Sequence, residues 1–233
     1  MEQGFVKVAS ATPRIRVADP VYNAQVICEQ AKEAAEHGAK IVVFPELCIT
    51  GYTCNDLFLQ ELLLEKAKEA LLTIAEETGQ LETLFLVGLP VDKDGRLYNV
   101  AAVLYRGRIL GMIPKKNIPM YAEFYEGRHF TPGEETVTEY RLGKQVIPFG
   151  SNLLFRCEEL PELILGCELC EDLWVAEPPS TSHALMGATV IANLSASNET
   201  VSKDDYRTLL IKASSARLLC GYIYTSAGEG EST

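Results

Sequence analysis

The chain has 233 residues, 47% of them hydrophobic and 23% charged, which is the size and balance of one globular α/β domain with a sizeable core. A formal net charge of -11 excludes a nucleic-acid surface, because phosphate binding needs clustered lysine and arginine. No basic start leads into a long apolar run, and no stretch approaches the roughly 20 apolar residues of a membrane span, so neither a signal peptide nor a membrane partner is expected.

Strand-like and helix-like segments alternate along the chain, the pattern of an α/β layered domain. Phe5 to Ala9 reads as a first strand. A helix follows, with Asp19 as N-cap, Pro20 in its first turn and a stop at Gly38. Ile41 to Phe44 is a short continuous apolar run, as expected of a buried strand. A second long helix begins near Asn55–Asp56 and ends before Gly79. Leu84 to Leu89 is again strand, and Tyr98 to Tyr105 and Ile109 to Ile113 flank Arg106-Gly107-Arg108 as a hairpin. The aromatic and charged stretch from Pro114 to Thr136 is a long loop, and loops of that length in compact domains are commonly functional. Leu163 to Cys167, Val190 to Asn193 and Tyr222 to Ala227 complete the strands. Ser202, three residues before Asp205, has the spacing of a capping box at the start of a last helix. The ending Gly228-Glu229-Gly230-Glu231-Ser232-Thr233 follows a strand with no closing element, and reads as the end of a fragment of something longer.

Seven cysteines, odd in number and mostly inside apolar segments, read as reduced thiols in a cytoplasm rather than as a disulfide framework. Cys167 and Cys170 form a C-x-x-C, but Cys48 and Cys54 are too far apart to supply a second pair, so no metal site is expected. The three histidines support no cysteine–histidine arrangement: His37 sits at a helix end, and His129 and His183 lie in polar or loop-like surroundings.

Three segments stand at strand ends, where an open α/β sheet collects its ligand. They are Val43-Phe44-Pro45-Glu46-Leu47, Ile113-Pro114-Lys115-Lys116-Asn117 and Gly166-Cys167-Glu168-Leu169-Cys170-Glu171-Asp172-Leu173-Trp174. A thiol, a carboxylate and an ammonium are what covalent amide hydrolysis requires: a nucleophile, a proton carrier and a cation for the oxyanion.

In order and spacing, FPELCITGY, PKKNIPMYAEFYE and GCELCEDLW resemble the three signature boxes of the nitrilase, or carbon–nitrogen hydrolase, superfamily. Asn193-Leu194-Ser195-Ala196-Ser197, the Lys203 to Arg207 region and the SSARLLCGYIYTSAGEGEST ending are further similar to the N-terminal glutaminase domains of bacterial glutamine-dependent NAD synthetases. The resemblance implies a four-layer αββα nitrilase sandwich over residues 1–233, truncated at its C-terminal end, that pairs with itself as a homo-oligomer. By position it implies Glu46 as general base, Lys115 as oxyanion cation and Cys170 as nucleophile. The Glu171 N–H is the second oxyanion donor, and Glu123 is the second glutamate that orients the lysine. Tyr52, Tyr121, Glu171, Trp174, Ser197 and Lys203 would line a pocket for L-glutamine. Asn117 stands where many nitrilases carry histidine, a variation compatible with the synthetase branch. No metal or cofactor is implied for this half; ATP and magnesium belong to an ammonia-receiving synthetase domain that is absent here. A free-standing amidase or carbamoylase shares the triad without needing Lys203. A silent interaction domain keeps the fold but has no use for the whole triad.

Overall fold

A computed structural model describes residues 4–231. The apolar runs alternate as strands buried on both faces must. In β1 (Val8–Ser10), β2 (Ile41–Val43), β3 (Leu84–Lys93) and β4 (Arg96–Tyr105), neighbouring residues point into different cores. Val42, Phe85, Val87, Leu89, Val100 and Ala102 pack toward a helical layer formed by α1 (Pro20–Glu36) and α2 (Glu61–Glu77). Ile41, Val43, Leu86, Ala101 and Val103 face the opposite way. With β5 (Arg108–Pro114), β6 (Thr138–Leu142) and β7 (Gln145–Phe149) these strands make a seven-stranded sheet in the order β1-β2-β3-β4-β5-β7-β6.

A second sheet of four strands, β8 (Leu154–Arg156), β9 (Ile164–Leu169), β10 (Val190–Ser195) and β11 (Gly221–Ser226), runs in the order β11-β10-β9-β8. Leu165, Cys167, Leu169, Ala192, Leu194 and Ile223 of this sheet meet the inward residues of the first and form the core between the sheets. Ala188, Ile191 and Cys220 pack beyond it with Ala184 of α3 (Pro179–Leu185) and Leu218 of α4 (Lys203–Leu218). The layers are therefore helix, sheet, sheet, helix. β2 with β3, and β9 with β10, are parallel pairs, so the carboxyl ends of strands from both sheets open on one edge.

The expected elements are present, with differences that have local causes. The first strand starts at Val8 rather than Phe5, because pairing with β2 begins at Val8 opposite Ile41, and Phe5 is 80% exposed. The second long helix is two pieces. Gly51 at φ 88° and Asn55 at φ 49° confine residues Tyr52–Leu59 to a broken 3-10 segment, and extended Gln60 separates it from α2. Asp19 does cap α1, its side chain accepting from Tyr22 N–H at 3.1 Å. The expected capping box at Ser202 does not form: Ser202 has a left-handed φ of 66° and its side chain makes no cap hydrogen bond. β6, β7, β8 and the seven-residue α3 were not legible as elements, each being short and carrying few inward apolar residues. His183 is not in a loop but buried in α3, its Nε2 2.9 Å from the Ser151 carbonyl oxygen. The seven cysteines are all free. Among the described residues no helix is long and apolar enough to cross a membrane.

Candidate active site

Glu46 lies three residues beyond β2 and is fully buried. Its position depends on a close approach of two backbones. A Cβ on Gly88 of β3 would stand 2.3 Å from Leu47 N and 2.6 Å from Pro45 O, so only glycine lets β3 pass beside this turn. The Ala196 N–H, just past β10, donates to Glu46 Oε2 at 3.0 Å and ties the carboxylate to the second sheet.

Lys115 follows β5 directly and is also fully buried. Its Nζ donates to Glu46 Oε1 at 2.7 Å and to Glu126 Oε1 at 2.5 Å. Lys116, the neighbouring candidate, turns outward to Glu135 on the surface. The second glutamate at the lysine is thus Glu126, not Glu123 as the resemblance implied. Glu123 is exposed and accepts from Asn198 Nδ2. Ala122 at φ 50° turns the loop just before Glu123, and the 3-10 turn Glu126–Arg128 is anchored by the bidentate pair of Arg128 with Asp56 at 2.7 and 2.9 Å. An irregular loop has no periodicity to say which of two nearby glutamates faces inward. Asn99 of β4, not singled out from the sequence, donates from Nδ2 to Glu46 Oε1 at 2.7 Å and to Glu126 Oε2 at 3.2 Å. One signal was available: a lone amide inside the apolar run Leu97 to Leu104.

Cys170 sits where β9 ends and a 3-10 turn, Cys170–Leu173, begins. Its φ of 41° is left-handed, a conformation a non-glycine residue holds only where the surroundings enforce it. Buried Asp172 supplies that enforcement, accepting from Leu169 N–H at 3.0 Å and from both Asn117 N–H and Asn117 Nδ2 at 2.8 Å. Asn117, the departure from the histidine pattern, therefore locks the lysine loop to the cysteine turn. Cys170 is only 6% exposed, more enclosed than the partly open setting usual for reactive thiols.

The charges are strongly perturbed. Burial pushes the Cys170 thiol up to about 12, with Glu46 adding to the rise and Lys115 opposing it. Burial also drives Glu46 upward against the pull of Lys115, with Glu126 adding to the rise. For Lys115 burial alone would lower the value, but Glu126 and Glu46 outweigh it and hold the ammonium charged. The thiol is therefore protonated at neutral pH, and a base must take its proton as it reacts. The pairing of Glu46 with Lys115 keeps the lysine charged, while burial outweighs the pull of the lysine and leaves the carboxylate easier to protonate than a free one.

The expected pocket residues are held by polar and ring contacts with their neighbours. Tyr121 OH donates to Glu171 Oε2 at 2.8 Å, and Tyr52 OH donates to Glu126 Oε1 at 2.8 Å. Lys203 donates to Asn198 Oδ1, and its ammonium lies 5.1 Å from the Trp174 ring centre and 5.5 Å from that of Phe124. Ser197 Oγ accepts from Arg207 at 3.5 Å, at the base of the same helix. The segment after β11 closes over this edge: Glu231 accepts from Tyr52 N–H at 2.5 Å and Thr53 Oγ1 at 3.1 Å. Gly230, at φ 101°, lies so close to Ile15 that a Cβ would stand 2.0 Å from its carbonyl oxygen.

A further buried acid, Glu168, accepts from Tyr222 OH and from Ser180 N–H but has no cation beside it among the described residues, and burial raises it to about 7. Its folded value exceeds the roughly 4.3 of an unfolded glutamate, so between those values the folded chain binds the extra proton and stability falls as pH rises. Glu168→Gln is expected to gain stability relative to the parent at pH 8 and to lose that advantage at pH 5. Urea midpoints at the two pH values check this; a constant difference removes the assignment.

Residues 7–226 match the family described as carbon-nitrogen hydrolase, and the chain belongs to that family. It is 43% identical over 232 residues to the glutamine-dependent NAD(+) synthetase of Mycobacterium tuberculosis, covering 100% of this chain and 34% of that protein. The crystal structure of a glutamine-dependent NAD(+) synthetase from Cytophaga hutchinsonii superposes with a TM-score of 0.85 at 28% identity, over 96% of this chain and 36% of that one. An amidase from Nesterenkonia sp. shares the fold, with a TM-score of 0.71 at 20% identity over 99% of this chain and 80% of that one. The four-layer αββα sandwich is thus that of the nitrilase superfamily. The chain spans about a third of the length of the curated synthetases it matches.

Proposed function

We propose that this chain is a glutamine amidohydrolase: a nitrilase-type domain that releases ammonia from L-glutamine through a thioester on Cys170. The observation that carries the reading is the buried cluster of Lys115 with Glu46 and Glu126, whose charges act on the Cys170 thiol. Nucleophile, base and cation thereby share one enclosed site.

In this mechanism Cys170 Sγ attacks the side-chain amide carbon while its proton passes to Glu46. The carbonyl electron pair moves to oxygen, where Lys115 Nζ and the Glu171 N–H stabilise the charge. The C–N bond then breaks, the proton returns from Glu46 to nitrogen, and ammonia leaves a thioester. Water, deprotonated by Glu46, attacks the thioester; the C–S bond breaks, sulfur regains the proton, and glutamate departs. Glu126 and Asn99 hold Lys115 and Glu46 in register.

Glutamine is the favoured substrate because of what surrounds the thiol. Its α-carboxylate needs a cation and its α-ammonium needs acceptors. Lys203 over the Trp174 and Phe124 rings fits the first, and the Tyr121–Glu171 pair fits the second. The synthetase relatives support the wider reading that this is the glutaminase half of a glutamine-dependent NAD synthetase. In that reading residues 1–233 pass ammonia to a further domain where ATP and magnesium activate the acceptor. Pairing of two such domains through a helical face belongs to the same reading; α4 exposes Tyr206 and Leu209.

Lys203→Ala is expected to lower kcat/KM for glutamine about ten- to a hundredfold, the worth of a hydrogen bond to a charged group. Hydrolysis of butyramide, which has neither charge, is expected to change little. Equal losses on both substrates, or a parent chain that prefers butyramide, would favour a stand-alone amidase or carbamoylase.

A further inference from the structure

We infer that Asn99 is a positioning residue that holds Glu46 ready as the base, by giving one amide hydrogen to each of the two carboxylates that flank Lys115. This rests on the reading of Glu46 as the base given above. Glu46 Oε1 accepts from Asn99 Nδ2 at 2.7 Å and from Lys115 Nζ at 2.7 Å. Glu126 takes Lys115 on Oε1 at 2.5 Å and Asn99 on Oε2 at 3.2 Å. Lysine and amide thus close a ring with two carboxylates. Both Asn99 hydrogens are used, and the amide orientation follows from chemistry, since ionised carboxylates can only accept.

The rest of Asn99 is immobilised too. It is fully buried in β4, on the face that carries Ala101 and Val103 into the core between the sheets, and its carbonyl oxygen accepts the Lys115 N–H at 2.8 Å. Its Oδ1 is buried and meets no donor among the described residues. A strand position that needed only packing would be served better by an aliphatic residue, since an unpaired buried acceptor is destabilising. What the amide gives in return is two hydrogen bonds to the ionised forms of buried acids.

Besides Asn99 and Lys115, one more donor reaches Glu46: the Ala196 N–H, on Oε2 at 3.0 Å. Lys115 stabilises its charge; Glu126 opposes it, and the Cys170 thiol must lose its proton to it. The nearby Tyr52 hydroxyl donates to Glu126, not Glu46. Two carboxylates share one ammonium, so the cluster carries an excess negative charge in a buried setting. There burial already favours protonation of one of them, and a protonated Glu46 is no base. Loss of the Asn99 donors is expected to move that protonation to higher pH.

The test is the pH dependence of Cys170 alkylation by iodoacetamide, read by mass spectrometry on the intact chain for the parent, Asn99→Leu and Asn99→Asp. Leucine keeps the approximate shape and removes both donors; aspartate keeps the shape and presents oxygens to the carboxylates. In both variants the acid limb is expected to move up by about one pH unit, which slows alkylation about tenfold near pH 6 and progressively less toward pH 9. If Asn99→Leu does not fold, Asn99→Asp carries the test alone. A slowing by the same factor at every pH would mean that Asn99 only supports the fold, and the inference would be overturned. Alkylation needs no glutamine, so a shifted limb in a chain that does not hydrolyse glutamine would sustain the Asn99 role while removing the substrate. Glutamine hydrolysis with an unmoved limb would do the reverse.

Discussion

Cys170→Ala is expected to abolish glutamine hydrolysis, by about 10⁴-fold or more, and to remove the site that iodoacetamide labels first. Thiol acidity does not single this residue out. Burial pushes Cys170 up to about 12, but it pushes Cys48 up to about 12 as well, and Cys28 and Cys54 up to about 11. The difference lies in the neighbours. Of these four only Cys170 has Glu46 to take its proton and Lys115 to meet the charge that forms on the carbonyl oxygen. Peptide mapping after brief alkylation reads the order of labelling among the seven thiols. Faster labelling of Cys167, with Cys170→Ala still active, would transfer the role to Cys167.

Lys115→Met is expected to lose both activity and stability, and the two losses have separate causes. Removing the oxyanion cation should lower kcat about 10²–10³-fold. Removing the partner of two buried carboxylates should destabilise the fold by about 3–5 kcal/mol, because it leaves charge uncompensated in the interior. The sign with pH follows. Without Lys115, Glu46 rises further above its unfolded value, so the folded variant binds an extra proton and its stability falls as pH rises through neutrality. Urea unfolding of the variant should therefore give a lower midpoint at pH 8 than at pH 5. Adding Glu126→Gln to Lys115→Met should recover part of the stability and none of the activity. A variant whose stability matches the parent at pH 8 would mean that the buried ion cluster does not form.

The three groups proposed to react were legible because each stands in a short segment where a mainly apolar strand run gives way to polar residues. Glu46 follows Ile41-Val42-Val43-Phe44, Lys115 follows Ile109 to Pro114, and Cys170 follows Ile164 to Leu169. Strands buried on both faces have to be continuously apolar, so a polar residue at their end announces itself. The helices with a full stripe of inward residues were legible for the same reason: α1 was read with its cap and stop, and α2 with its end. The layered architecture needed only the alternation of these elements, and the family resemblance named it.

What the chain's order could not supply was anything set by contacts between distant segments. Glu126 rather than Glu123 meets Lys115 because Arg128 clamps to Asp56, 72 residues earlier, and turns the loop. Asn99 is a lone amide inside an apolar run, and only the pairing of β4 beside β3 and β5 brings it between two carboxylates. Asn117 stands in sequence as a departure from the histidine of many nitrilases, and only the fold brings it to Asp172, 55 residues away, which accepts its amide. The capping box at Ser202 had the right spacing, yet the backbone there turns left-handed and the bond does not form. Hydrophobic periodicity is local and survives in the sequence. Hydrogen-bond partners and buried charge depend on which strands become neighbours, and that is decided by the packing of the two sheets against each other.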